Sequence, residues 1–287
     1  MSGEGEGEGK GGTLYVVATP IGNLGDLSPR AAEVLRLADV VVAEDTRRTR
    51  TLLSHVGAHP AELVSLPAFD EEGRMGRVVS RLSAGAAVAL VTDAGTPGVS
   101  DPGTRLVEAA WEAGARVVPI PGPSAALAAL SASGLPADRF LFTGFLPRKG
   151  GGRADALRWL SGIPATIVIF EAGNRAAATL VDLEEAFGDR PAALARELTK
   201  LHEEIARGRL SELRARFPGD LRGEVTLVVA GADAAPKPAP AEPPEEEILR
   251  RLAAGEAPTA VARAIARGYK MGRGEAYALV ESVRGRR

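Results

Sequence analysis

The chain has 287 residues, a hydrophobic content of 45% and a formal net charge of −2, which suggests two domains of roughly 100–200 residues or less, each with its own core, plus a small appendage. It contains no cysteine, which excludes disulfides, thiolate–zinc sites, iron–sulfur clusters and a cysteine nucleophile. The near-neutral charge excludes a global basic field, so any contact with nucleic acid requires a local patch.

Met1 to Gly12 alternates Gly and Glu without an apolar core, so it reads as a disordered tail and not as a signal peptide. No apolar run is long enough to span a bilayer, and the expected location is the cytoplasm. Thr13 to Ala18 is β-branched and continuously apolar, as a buried parallel strand should be. The Pro/Gly loop Thr19-Pro20-Ile21-Gly22-Asn23 follows. Ser28-Pro29 then predicts an N-cap and first helical residue, with the helix running to Leu37. Asp39–Ala43 reads as a strand, 49–56 as a helix ended by Gly57, Glu62–Leu66 as a strand and Glu71–Leu82 as a helix. Ala86–Val91 is a further apolar strand, 104–112 a helix and 116–119 a strand. Pro121-Gly122-Pro123-Ser124 turns into an Ala-rich helix over 125–132. This alternation predicts a parallel sheet covered on both faces, with ligands outside the carboxyl ends of the strands. Three Gly/Pro-rich loops lie there, after Ala18, Val91 and Ile120.

A second half begins near Phe140, with strands at 139–143, 165–170, 192–195 and 224–230 and helices at 153–161, 174–186 and 210–217. Trp111 and Trp159 lie in helical runs and are expected in the core. Ala234 to Pro244 is Pro-rich and reads as an extended linker. Glu245–Arg287 reads as two or three short helices. The expected boundaries are a tail at 1–12, α/β domains at 13–124 and 125–232, a linker at 233–244 and a basic helical domain at 245–287.

The loop 92–103 reads Thr-Asp-Ala-Gly-Thr-Pro-Gly-Val-Ser-Asp-Pro-Gly. It can hold a polar, hydroxyl-bearing ligand through backbone groups and a few side chains, or it can be a turn with a helix cap at Asp101. No Walker A motif and no Gly-x-Gly-x-x-Gly fingerprint follows the first strand, which argues against a nucleotide phosphate. The carboxylates Asp45, Asp93 and Asp101 suit a cationic or hydroxyl-rich cofactor. Glu44-Asp45-Thr46-Arg47-Arg48 offers a carboxylate and cations at a strand end, or an ordinary acidic helix start. In Ala195-Arg196-Glu197-Leu198-Thr199-Lys200, Arg196 and Lys200 can hold phosphate, or the segment can be a salt-bridged turn. His55, His59 and His202 form no metal pattern. In the tail, Arg263, Arg267, Lys270, Arg273, Arg284, Arg286 and Arg287 interleave with Tyr269 and Tyr277. That set can meet RNA phosphates and bases, or form a solvated helical face.

Taken together, the segments Leu14–Leu24, Ala43–Arg47, 92–103, Pro121–Ala125, Ala195–Lys200 and Arg222–Glu224 resemble, in order, the ribosomal RNA small subunit methyltransferase I family of the tetrapyrrole methylase-like superfamily. The resemblance implies a two-domain class III α/β methyltransferase fold with a small C-terminal helical appendage. It also implies a homodimer that binds S-adenosylmethionine between the domains. The reaction implied is methylation of the ribose 2′-hydroxyl of a cytidine in the decoding region of 16S ribosomal RNA, within the small ribosomal subunit. By position, the resemblance places Pro20, Asp93, Ala94, Gly95, Val99, Ser124 and Ala125 at the cofactor, with Phe170 and Thr226 as further candidates. Two segments depart from the family pattern. Ala68-Phe69-Asp70-Glu71-Glu72 replaces a His-x-His-Asn-Glu-like run, and Asn174 stands where His often precedes Arg175.

For such a reaction Asp45, Glu197 and Lys200 are the candidate proton acceptors, Arg47, Arg196, Lys270 and Arg273 the candidate RNA contacts, and no metal is expected. The absence of cysteine favours ribose or an exocyclic group over cytosine C5, whose methylation normally needs a thiolate. Two rival readings stand beside this one: a methyltransferase acting on a tetrapyrrole of the uroporphyrinogen or precorrin type, and a non-catalytic RNA-binding factor of ribosome assembly.

Overall fold

A computed structural model describes residues 11–66, 71–232, 243–269 and 271–285. Most of the expected tail, the Pro-rich segment from 233 to 242, Ala68–Asp70 and Lys270 lie outside the described residues. Residues up to Gly231 form one compact unit and those from Ala232 onward another.

The first sheet has five strands, β1 (Thr13–Val17), β2 (Val40–Ala43), β3 (Glu62–Ser65), β4 (Ala87–Val91) and β5 (Arg116–Ile120). They are ordered β3-β2-β4-β1-β5 and all run parallel. Val40–Ala43 and Val88–Val91 are buried throughout because helices cover both faces. One layer packs Val17, Val41 and Ala89 against α1 (Pro29–Leu37) and α2 (Thr46–Val56). The other packs Leu14, Val42 and Leu90 against α3 (Glu71–Ser83) and α4 (Thr104–Glu112). Local chemistry sets the helix ends. The Ser28 side chain accepts from the Ala31 amide, Pro29 occupies the first turn, and Gly57 closes α2 at φ 66°. Asp45 caps α2 through the Arg47 amide, so that helix starts three residues before the expected Thr49. Asp101 is not the cap of α4, whose N-cap is Gly103.

After α5 (Ala125–Ser133) comes a second sheet, of β6 (Phe140–Phe145), β7 (Thr166–Ala172), β8 (Pro191–Arg196), β9 (Glu204–Arg209) and β10 (Glu224–Val229). Its order is β6-β7-β10-β8-β9. Only the β6–β7 pair is parallel; the others are antiparallel. Packed on it are α6 (Gly151–Ser161), α7 (Gly173–Phe187) and α8 (Leu210–Arg216) on one face and α5 on the other. Strand β9 is absent from the sequence-based expectation because Glu204, Arg207 and Arg209 hide it on an edge where one face only, at Ala206, is buried. Trp111 and Trp159 are not core residues: they are 63% and 60% exposed. Helix α4 buries Leu106 and Ala110, and α6 buries Leu157 and Leu160, so both indoles fall on the outer faces.

The C-terminal unit consists of α9 (Pro244–Ala253), α10 (Pro258–Gly268) and α11 (Arg273–Gly285) around Ile248, Val261, Ile265, Ala276 and Val280.

One charged network is buried in the second half. Glu171 on β7 is fully buried and accepts from the Thr179 hydroxyl at 2.7 Å and the Ala172 amide at 2.9 Å. Arg175 lies 3.3 Å from it and Arg153 3.9 Å. Removing one partner of a buried ion network leaves uncompensated charge, at a cost of about 3 kcal/mol. Glu171→Ala is therefore expected to destabilise the first unit by about 3 kcal/mol in urea unfolding; an unchanged midpoint would contradict the network's role.

Candidate active site

The three Gly/Pro-rich loops meet at the carboxyl ends of β1, β4 and β5. The Thr19 amide donates to the Gly95 carbonyl at 2.8 Å, and the Gly95 amide donates back to the Thr19 carbonyl at 3.1 Å. The Thr19 hydroxyl also donates to the Thr92 carbonyl at 3.1 Å. Thr96 donates to the Pro123 carbonyl at 3.3 Å, tying in the third loop. Gly122 passes so close to Ala18 that a Cβ on it would lie 2.9 Å from the Ala18 methyl. A fourth segment joins from the second half: a Cβ on Gly22 would fall 2.6 Å from Lys200 Cγ and 2.9 Å from the Leu198 carbonyl.

Between these loops lies a cavity of about 450 Å³, within the usual range for small-molecule sites. Its floor is the 93–96 turn, and Val99, Ser100 and Asp101 continue that wall. Ile21, Ser124 and Ala125 border it from the first half, and Phe145, Phe170, Arg196, Glu197, Lys200 and Thr226 from the second. Phe170 is held by edge-on contacts with Phe142 and Phe145, at centroid distances of 4.8 and 5.8 Å. Ser100 and Glu197 adopt left-handed backbone conformations, at φ 64° and 49°, which non-glycine residues rarely hold outside functional turns.

The cavity is acidic on one side. Thr92 donates to Glu44 Oε2 at 2.9 Å, and Asp93 accepts from the Asp45 amide at 3.1 Å. Burial and the Glu44 charge raise the Asp93 pKa, although Arg48 sits 3.3 Å away. Asp101 is raised to about 6, by burial first and by Glu44 next, against its hydrogen bond with Thr92. Opposite, Lys200 pairs with Glu197 at 2.9 Å, and Arg196 with Glu204 at 2.6 Å.

Asp93, Ala94, Gly95, Val99, Ser124, Ala125, Phe170, Arg196, Glu197, Lys200 and Thr226 thus share one cavity wall. Pro20 is not on that wall; its neighbour Ile21 is. Asp45 is turned away. Its carboxylate caps α2 and is clasped by the exposed Arg47 at 2.8 Å, whose hydrogen bonds hold it down at about 2. That makes Asp45 a poor proton acceptor. Arg273 belongs to the C-terminal unit, where Arg263 and Tyr277 join it around a small groove of about 140 Å³. Sequence reasoning marked the segments that hold Glu44, Arg48 and Glu224 but gave none of the three a role at the site, and it passed over Phe145; all four line the cavity. Glu44 was within reach: it is the residue beside Asp45 at the strand end, where side chains alternate in direction.

The model of the Tetrapyrrole (Corrin/Porphyrin) Methylases family matches residues 13–214. The chain is 51% identical over 225 residues to the ribosomal RNA small subunit methyltransferase I of Xylella fastidiosa (strain Temecula1 / ATCC 700964), covering 77% of this chain and 82% of that one. It is 44% identical over 271 residues to the protein of the same name from Synechocystis sp. (strain ATCC 27184 / PCC 6803 / Kazusa), covering 93% and 97%. Among solved structures, uroporphyrin-III C-methyl transferase from Thermus thermophilus, complexed with S-adenosyl homocysteine, has the same fold. Its TM-score is 0.55 at 23% identity, over 76% of this chain and 97% of that one.

Because the folded-state pKa of Asp101 lies above its ordinary value of 3.8, the folded chain binds the extra proton, and stability is lost as the pH rises from about 4 through about 6. Asp101→Asn should therefore gain on the parent over that interval, by about 1 kcal/mol at pH 8 after allowance for solvent screening. Thermal midpoints of the two proteins from pH 4 to pH 8 check this; a constant difference would contradict it.

Proposed function

The chain is a member of the tetrapyrrole (corrin/porphyrin) methylase family and, within it, of the ribosomal RNA small subunit methyltransferase I family; from that premise we propose that it methylates the ribose 2′-hydroxyl of a cytidine in the decoding region of 16S ribosomal RNA, with S-adenosylmethionine as donor. The observation that carries the reading is the cavity at the strand ends, which sets carboxylates against apolar walls. That donor set fits the cofactor. Ile21, Val99 and Phe170 offer apolar surface for adenine, the backbone of 93–96 offers polar groups, and Glu44 and Asp93 face a cationic end. The cofactor-holding set in this reading is Pro20, Asp93, Ala94, Gly95, Val99, Ser124, Ala125, Phe170 and Thr226. Pro20 contributes by shaping the turn beside Ile21.

When bound, S-adenosylmethionine supplies an electrophilic methyl on a positively charged sulfur. The chain's own part is to orient the hydroxyl and to exclude water. Charge is lost on the way to the transition state, so positioning in a dry cleft accounts for much of the rate. The rigid contacts at Gly22, Gly95 and Gly122 serve that end. Glu197 and Lys200 sit on the substrate side as an ion pair, and Arg196 lies next to them. Arg47, Arg196, Lys270 and Arg273 are assigned to RNA phosphates; Arg47 is 84% exposed and would exchange its pairing with Asp45 for a phosphate. In this reading residues 13–124 and 125–232 are the two catalytic domains, 233–244 is the linker and 245–287 an RNA-binding appendage. A cytoplasmic homodimer acting on the small ribosomal subunit completes it. No helix among the described residues is long and apolar enough to cross a membrane.

Two measurements follow. Radiolabelled methyl from S-adenosylmethionine should enter small subunits taken from a strain lacking the activity, and nuclease digestion should yield a 2′-O-methylated cytidine. RNA binding without incorporation would instead identify a non-catalytic assembly factor. Asp93→Ala should weaken S-adenosylmethionine binding at least tenfold in calorimetry, a loss of about 1.4 kcal/mol; unchanged affinity would remove Asp93 from the cofactor set.

A further inference from the structure

We propose that Asp101 is the catalytic base: it accepts the proton that the attacking hydroxyl gives up, with Thr92 and Glu44 as the hydrogen-bonded support behind it. The inference rests on the methyl-transfer reading and names a group that reading leaves open. Asp101 lines the cavity together with Glu44, Asp93, Glu224 and Arg48. Of the other carboxylates there, three are engaged, and Glu224 lies exposed at the first position of β10. Asp93 accepts from the Asp45 amide at 3.1 Å and pairs with Arg48 at 3.3 Å, and Glu197 pairs with Lys200 at 2.9 Å. Glu44 takes the Thr92 hydroxyl at 2.9 Å. Asp101 is bonded to that same hydroxyl, and no salt bridge reaches it among the described residues.

Thr92 lies 2.9 Å from Glu44 Oε2, and its bond to Asp101 favours the ionised carboxylate; burial and the charges of Glu44, Glu224 and Asp93 outweigh it and raise the Asp101 pKa to about 6. Near neutral pH it is mostly ionised yet takes a proton readily, which is the condition for an effective base.

The loop also holds Asp101 in place. Gly98, Ser100 and Gly103 all adopt left-handed conformations, at φ 79°, 64° and 123°. The Gly98 amide donates to the Pro102 carbonyl at 3.3 Å, and the Val99 amide to the Thr96 carbonyl at 3.2 Å. On the far side Gly144 packs on Ser100, where a Cβ would fall 2.7 Å from the Ser100 hydroxyl oxygen. The step balances: the hydroxyl oxygen bonds the methyl carbon, the carbon–sulfur electron pair stays on sulfur and cancels its charge, and the hydroxyl proton moves to the Asp101 carboxylate.

The test compares Asp101→Asn with the parent protein. Single-turnover methyl transfer to small subunits should fall about a hundredfold or more, while S-adenosylhomocysteine affinity in calorimetry stays within about threefold of the parent, a shift too small to remove a binding contact. The parent rate should rise with pH through an acid limb below the value of about 6 held in the free protein, because the bound donor's charge favours the ionised carboxylate, and that limb should be missing in the variant. Asp101→Glu should recover part of the rate and keep an acid limb. Independently of turnover, an infrared titration of the free parent protein should show an acid carbonyl band that vanishes through about pH 6, and the Asn variant should lack it. A variant with the parent's rate and acid limb overturns the inference while leaving methyl transfer intact. A parent protein that binds the donor and transfers no methyl overturns the reading on which both rest.

Discussion

The site depends on the reciprocal pair of backbone hydrogen bonds between Thr19 and Gly95. Strands β1 and β4 are neighbours in a parallel sheet, and such strands diverge once each turns towards its helix. Here both chains stay together for one more pair beyond the sheet, with Thr19 and Gly95 facing in an antiparallel bridge. Gly95 reaches that geometry at φ 88°, a conformation open to glycine at no steric cost. Once the two loops are bound, the 92–101 segment must pass outward over the carboxyl ends of the strands. The floor of the cavity follows from this pairing, and the close approaches at Gly22 and Gly122 bring the other loops onto it.

The electrostatics follow from that geometry. Glu44, Asp93, Asp101 and Glu224 come from three different strand ends and meet in a partly dry space. Arg48 is the cation that borders Asp93, and it is 71% exposed. Like charges at reduced dielectric raise one another's affinity for protons, and they raise the affinity for any cation that enters. The site thus holds unfavourable charge that a cationic ligand relieves. The opposite wall differs, because Lys200 and Arg196 each have their own carboxylate. A ligand cation is drawn to the first wall, and a polyanion can reach the second only by displacing Glu197 or Glu204.

Features set by local chemistry were legible in the sequence. The continuous apolar strands, the Ser28-Pro29 helix start, the Gly57 stop and the strand-end position of 92–97 all follow from residues close in the chain. Features set by distant partners were not. The pKa of Asp101 depends on burial and then on Glu44 and Glu224, far away in sequence. Asp45 stood beside Glu197 and Lys200 as a candidate proton acceptor because nothing local says that Arg47 will fold back onto it. Strand β9 lacks an apolar run because it lies at a sheet edge, and the two tryptophans were misplaced because a helical run alone does not say which face is outward. The departures at Ala68–Asp70 lie outside the described residues, whereas Arg175, which follows Asn174, has its charge committed to Glu171 at 3.3 Å.

Placing Asp93 and Asp101 on one loop links donor binding to proton uptake. A cation bound beside Asp93 also stands near Asp101 and favours its ionised form, so the base is ready when the donor is in place. Methyl transfer removes that cation. The carboxylates then face one another without it, and Asp101 returns to the higher proton affinity set by Glu44 and burial. The proton taken from the hydroxyl is retained at the moment the positive charge disappears, so the total charge inside the cavity is the same before and after the step. In a partly buried space, where changing net charge is expensive, this compensation reduces the solvent reorganisation that the reaction would otherwise require. The same argument explains why an acidic wall is compatible with catalysis on RNA: the carboxylates act on the cation and the proton, not on the polyanion.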